Sequence, residues 1–109
     1  IDDIYYDSSS GLNIENMELY SAQYFQLYDN YPNPFNPTTI ISYNLSKPSD
    51  VKIEIYNAVG QIISELINSQ QRAGFHRINF DATGLPSGIY IYKITTANYS
   101  QSKKMTLIK

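Results

Sequence analysis

Asp50-Val51-Lys52-Ile53-Glu54-Ile55-Tyr56-Asn57-Ala58-Val59-Gly60 is the stretch whose reading decides the fold. Val51, Ile53 and Ile55 alternate with Lys52, Glu54 and Tyr56, and a period of two places three β-branched side chains on one face of a strand. Asn57–Gly60 then reads as a four-residue turn, with Gly60 supplying the left-handed residue that a type I turn plus bulge requires. Gln61–Ile67 is the returning partner strand. Either Ile62 or Ile63 can be the one that faces inward, so a bulge is expected there.

The same period runs outward in both directions. Upstream, Tyr24–Tyr28 reads as a short first strand, and in Thr39–Leu45 the set Thr39, Ile41, Tyr43, Leu45 alternates with Ile40, Ser42, Asn44. Downstream, Phe75–Phe80 puts His76, Ile78 and Phe80 on one face, and Gly88–Thr95 does the same with Tyr90, Tyr92 and Ile94. Gln101–Ile108 turns Met105 and Leu107 inward and Lys104, Thr106 and Ile108 outward. No 3.6-residue period persists for ten residues. Seven short strands with turn signals between them predict an all-β fold, an immunoglobulin-like antiparallel β-sandwich. The inter-sheet cysteine pair and the tryptophan of antibody domains are missing from it.

Composition narrows the function. A chain of 109 residues fits one domain, which at this size buries roughly 65% of its unfolded surface. The absence of cysteine excludes a disulfide scaffold, thiol catalysis and Cys-ligated zinc, and a single histidine, His76, excludes a multi-His metal site. A net charge of −2 argues against a nucleic-acid partner held through phosphates. No apolar run approaches the roughly 20 residues of a membrane helix. Residues 1–46 carry six acidic side chains and no Lys or Arg, whereas residues 47–109 carry four acidic and eight basic ones, ending in Lys103, Lys104 and Lys109. Lysines on an edge strand also serve simply to block sheet-to-sheet aggregation.

Residues 1–23 read as a linker or the tail of a preceding domain, and residues 24–109 as the sandwich; the chain is expected to be a piece of a larger protein. Asp7-Ser8-Ser9-Ser10-Gly11 has the polarity of a calcium loop without its glycine spacing or its bidentate Glu. Tyr31-Pro32-Asn33-Pro34-Phe35-Asn36-Pro37 removes three backbone donors and cannot lie in mid-sheet. It reads as a corner where the chain crosses between sheets, with Phe35 and Tyr31 plugging the core and Asn33 and Asn36 satisfying backbone groups. His76 shares parity with core residues and reads as a rim histidine, and no nucleophile motif such as Gly-x-Ser-x-Gly occurs. Neither catalytic residues, nor a metal site, nor a cofactor is expected. Tyr90 and Tyr92 read as core with hydroxyls at the rim, leaving Tyr56 and Tyr99 as candidates for a sugar-stacking surface.

Several motifs occur in a recognisable order: Phe25 to Thr39 with its Pro32-Asn33-Pro34, Val51 to Gly60, Ala73-Gly74-Phe75-His76, Phe80-Asp81, Leu85 to Lys93, and Lys103 to Lys109. Over residues 24–109 this closely resembles the type A C-terminal sorting domain of cargo proteins of the bacterial type IX secretion system. Ser46 stands where that family often has proline, and Phe80 where it often has tryptophan. The resemblance implies a secretion signal for a larger cargo, with passage through the periplasm to the cell surface or beyond. It implies as partners the outer-membrane translocon and shuttle components, the upstream cargo domain, and a sortase-like cysteine protease that cuts near Tyr20–Tyr24. The domain itself is expected to be monomeric. The recognition residues it implies are Pro32, Asn33, Pro34, Gly88, Tyr90, Lys103, Lys104 and Lys109. A terminal strand with an open edge could then add to a partner's sheet, and removing Lys104–Lys109 would abolish export while sparing most of the fold. The alternative is an uncleaved adhesive or carbohydrate-binding module, favoured by an exposed aromatic strip.

Overall fold

The computed structural model describes residues 25–109. Seven strands follow in order: β1 (Gln26–Leu27), β2 (Thr38–Leu45), β3 (Ser49–Asn57), β4 (Ile62–Gln71), β5 (Gly74–Asp81), β6 (Gly88–Thr95) and β7 (Ser100–Leu107). They form a three-stranded sheet in the order β1-β2-β5 and a four-stranded sheet in the order β4-β3-β6-β7. Every strand pairing is antiparallel, and no helix occurs among the described residues. The architecture is an immunoglobulin-like β-sandwich. Tyr24 and the calcium-like stretch at residues 7–11 lie outside the described residues.

The period of two becomes burial directly. Ile41, Tyr43, Leu45, Val51, Ile53, Ile55, Tyr90, Tyr92, Ile94, Met105 and Leu107 are all buried and belong to one core. Each such aliphatic or aromatic side chain stabilises the fold by about 1.5–3 kcal/mol relative to exposure. The Asn57–Gly60 turn is held by the Asn57 side chain, whose Oδ1 accepts the N–H groups of Val59 (3.1 Å) and Gln61 (2.9 Å). Gly60 sits at φ 92°. The ambiguity of Ile62 and Ile63 resolves into two register shifts against β3, between Ile53 and Glu54 and between Ile55 and Tyr56. Leu66 and Ile63 are the extra residues. These bulges bend an otherwise long edge strand away from regular pairing, which protects it from edge-to-edge association. β4 runs on to Gln71, and only Arg72 and Ala73 separate it from β5.

Two polar ties join the sheets. The Tyr92 hydroxyl donates to the Tyr28 carbonyl at 2.7 Å, and the Lys103 ammonium lies 3.2 Å from the Asp29 carboxylate. Burial, reinforced by the nearby Asp29 charge and opposed by the Asn30 backbone N–H, pushes Tyr92 up to about 12. An unfolded tyrosine ionises near 10, so the folded state resists a proton loss that the unfolded state accepts. The contribution is complete below pH 10 and disappears as pH rises towards about 12. Thermal melts taken across that interval should show a falling midpoint, and Tyr92→Phe should flatten the fall. Tyr43 and Tyr99, also raised by burial, leave a residual slope.

Candidate functional site

The proline-rich segment does not cross between sheets. The strands on either side of it, β1 and β2, both belong to the three-stranded sheet. Tyr31 still bridges Ile40 in that sheet, after which the chain swings out, touches the other sheet and returns at Thr38. Because Ile40 faces outward between the inward Thr39 and Ile41, its bridge partner Tyr31 also faces outward. Tyr31 is 79% exposed and plugs nothing. Phe35 alone plugs the core end, with its ring set edgewise to Phe80 at 6.2 Å between centroids.

Phe35 forms a parallel bridge with Leu107 of the other sheet. Its N–H donates to the Thr106 carbonyl (2.9 Å), and its own carbonyl accepts the Ile108 N–H (3.0 Å). Asn33 Oδ1 accepts the Thr106 N–H at 3.0 Å. The end of β7 is therefore bonded on both flanks, to β6 on one side and to the Asn33–Phe35 segment on the other. This corrects the expectation of a fully open terminal edge. In an antiparallel strand the outward-pointing backbone groups recur every second residue. Further back along β7, Ser100, Ser102 and Lys104 keep that edge free of backbone partners among the described residues. Asn33→Ala should release the Thr106 amide, at a cost of about 0.5–1.5 kcal/mol. Hydrogen exchange should quicken selectively at Thr106 and Ile108.

Asn30 went unnoticed in the sequence. It is buried, and its Nδ2 donates to the Pro32 carbonyl (3.1 Å) and to Thr39 Oγ1 (3.0 Å), while the Thr39 hydroxyl donates to the same carbonyl at 2.8 Å. This small network, rather than Asn36, anchors the start of the proline segment to β2. An asparagine just before a proline cluster was the available signal, but three asparagines compete for it in the sequence.

Gly88, Tyr90 and Lys109 lie at the same end. Gly88 pairs with Leu107 and Tyr90 with Met105. Gly88 has φ 154°, with open space where a Cβ would stand, so backbone conformation and not crowding favours glycine. Tyr90 is buried and its hydroxyl donates to the Pro86 carbonyl at 2.7 Å. The Lys109 N–H donates to Ser87 Oγ at 3.0 Å. A cleft of about 260 Å³ opens beside them, walled by Asn57–Val59 and Pro86–Tyr90. Pro32, Asn33, Pro34, Gly88, Tyr90 and Lys109 thus surround the end of β7. Lys103 stands apart, with its ammonium tied to Asp29. Lys104 and Lys109 are exposed.

His76 is a rim residue: its ring stacks on Tyr43 at 5.2 Å, and Nε2 lies 2.7 Å from the Arg72 carbonyl. Tyr56 is half-buried with its hydroxyl donating to Glu54, and Tyr99 stacks on Phe25. Among the described residues the exposed aromatics are instead Tyr31 and Phe75, on the outer face of the three-stranded sheet beside Tyr28. Phe75 is tilted 54° to Tyr28 and has the Arg77 guanidinium 5.6 Å from its ring centre, so no flat stacking platform results.

The domain is a seven-strand sandwich whose motif residues converge on one end, and no cluster of metal-ligating side chains occurs among its described residues. Residues 29–109 match the family described as the secretion system C-terminal sorting domain, and the chain belongs to that family. It is a C-terminal sorting signal domain of type IX secretion, a class that is generally non-catalytic and that marks proteins for the cell surface or the extracellular space. Among solved structures, the chain is similar to PorZ of Porphyromonas gingivalis, described as an essential bacterial surface component of the type IX secretion system. The TM-score is 0.54 at 19% identity, covering 76% of this chain and 11% of that one. At that identity the likeness is one of fold, and the chain spans only a small part of PorZ. The first immunoglobulin domain of mouse SynCAM 2 aligns with TM-score 0.42 at 14% identity, over 79% of this chain and 94% of that one. No curated protein matches the chain.

Proposed function

We propose that the domain is a folded address, without catalytic activity of its own, read at the end where Pro32, Asn33, Pro34, Gly88, Tyr90 and Lys109 meet, with Lys104 further back along β7. The observation that carries this reading is the convergence of motifs distant in sequence around the end of β7. Lys103 then contributes by keeping the two sheets together through Asp29. Outer-membrane translocon and shuttle components engage this end after the cargo has reached the periplasm. A sortase-like cysteine protease then cuts in the linker near residues 20–24, outside the described residues, and releases the upstream cargo from its monomeric address.

The intact mass of the secreted parent tests this reading. A parent shortened by everything after a cut near residues 20–24 is the expected result. A mature surface protein that keeps the whole domain would instead support an uncleaved adhesive module.

A further inference from the structure

The outward side of the four-stranded sheet divides into two zones. Going across the strands, the rows Lys52–Thr95–Ser100 and Glu54–Lys93–Ser102 are polar, as the solvated side of an antiparallel sheet should be. The next row, Ile62–Tyr56–Ile91–Lys104, is apolar until its final residue. Beyond it lie Ile89, opposite Thr106, and then Ile108. Ile62 is 53% exposed, Ile89 42% and Ile108 51%. The apolar zone is therefore confined to the end where the recognition motifs meet, and it runs into the cleft walled by Val59, Pro86 and Ile89.

Charge on this zone is one-sided. Lys52 lies 3.8 Å from Glu54 and Lys103 is paired with Asp29. Among the described residues, Lys104 and Lys109 have no carboxylate partner. We propose that the secretion partner docks on this outer face, not on the strand edge, and that it presents an apolar surface carrying carboxylates. The proposal rests on the reading of the domain as a sorting signal and specifies the chemistry of what reads it. Three observations converge on it. The edge of β7 at Thr106–Ile108 is already occupied by Asn33 and Phe35. The exposed isoleucines form a continuous apolar centre of the kind that carries most of an interface's energy. The Lys104 and Lys109 ammonium groups, without a carboxylate partner among the described residues, select an acidic rim and speed encounter with it. The cleft admits one apolar side chain from the partner.

The test uses the whole 109-residue chain fused behind a periplasm-directed reporter, in a bacterium with a type IX apparatus. The reporter is measured at the surface and in the periplasm. Ile89→Asp with Ile108→Asp should lower surface delivery by at least about tenfold, while Ser102→Pro, which blocks the open part of the β7 edge, should change it by less than about twofold. Lys104→Glu with Lys109→Glu alters only solvent-facing ammonium groups and should also lower delivery. It keeps the test decisive should the aspartates depress the melting temperature. Normal delivery of both face variants overturns the proposal. So does a concentration-dependent dimer of the purified chain that the aspartates abolish, since the face would then serve a second copy. Retention of the unaltered fusion in the periplasm would instead count against the sorting reading itself.

Discussion

Deletion of Lys104–Lys109 is expected to unfold the domain, not simply to remove a label from it. The segment contains Met105 and Leu107, both fully buried. Losing either side chain from a packed core costs about 2–5 kcal/mol, and a whole domain is stable by only about 5–15 kcal/mol. The deletion also strips β6 of its partner at Gly88–Ile91 and leaves the Phe35 N–H and carbonyl without the groups that satisfy them. Purified protein lacking these residues should show no cooperative thermal transition. A transition retained within a few degrees of the intact chain would contradict this account of how β7 is held. Export lost on such a deletion therefore reports a missing fold as much as a missing signal. The charge variant separates the two because Lys104 and Lys109 are exposed and outside the core.

Phe35→Ala should be the most damaging single substitution in the proline-rich segment. Its ring is buried against Phe80 where the two sheets meet, and truncating a buried phenylalanine costs about 3–5 kcal/mol. For a domain of this size that lowers the melting temperature by on the order of 20 °C. Pro34→Ala, at an exposed position in the same segment, should cost less than about 1 kcal/mol. A double-mutant cycle between Phe35→Ala and Leu107→Ala should give a coupling of about 0.5–3 kcal/mol, because the two residues share one bridge and one core. Additive effects would mean that the bridge does not transmit packing between the sheets.

Much of the fold was legible because its signal is local. Val51, Ile53 and Ile55, or Tyr90, Tyr92 and Ile94, declare their face by alternation within one strand, and all six are buried. The turn at Gly60 was equally plain, since the need for positive φ belongs to a single residue. The bulges in β4 left a trace in the ambiguity of Ile62 and Ile63. Contacts set by the meeting of distant strands left none. That Asn33 would receive the Thr106 N–H, or that Tyr31 would turn outward with Ile40, depends on where an irregular excursion lands. The inward parity of Lys103 beside Met105 and Leu107 hinted at a buried stem, but its partner Asp29 lies in the irregular segment between β1 and β2. The candidate site shows the same division. Its residues were named from motif resemblance, and their gathering at one end became visible only in three dimensions.

The bridge between Phe35 and Leu107 has a consequence for timing and proofreading. A chain interrupted anywhere upstream of Leu107 lacks the piece that closes the structure, so the surface assembled around Asn33, Gly88 and Lys109 cannot form on it. A partner that reads that surface would therefore engage only a domain folded through Leu107.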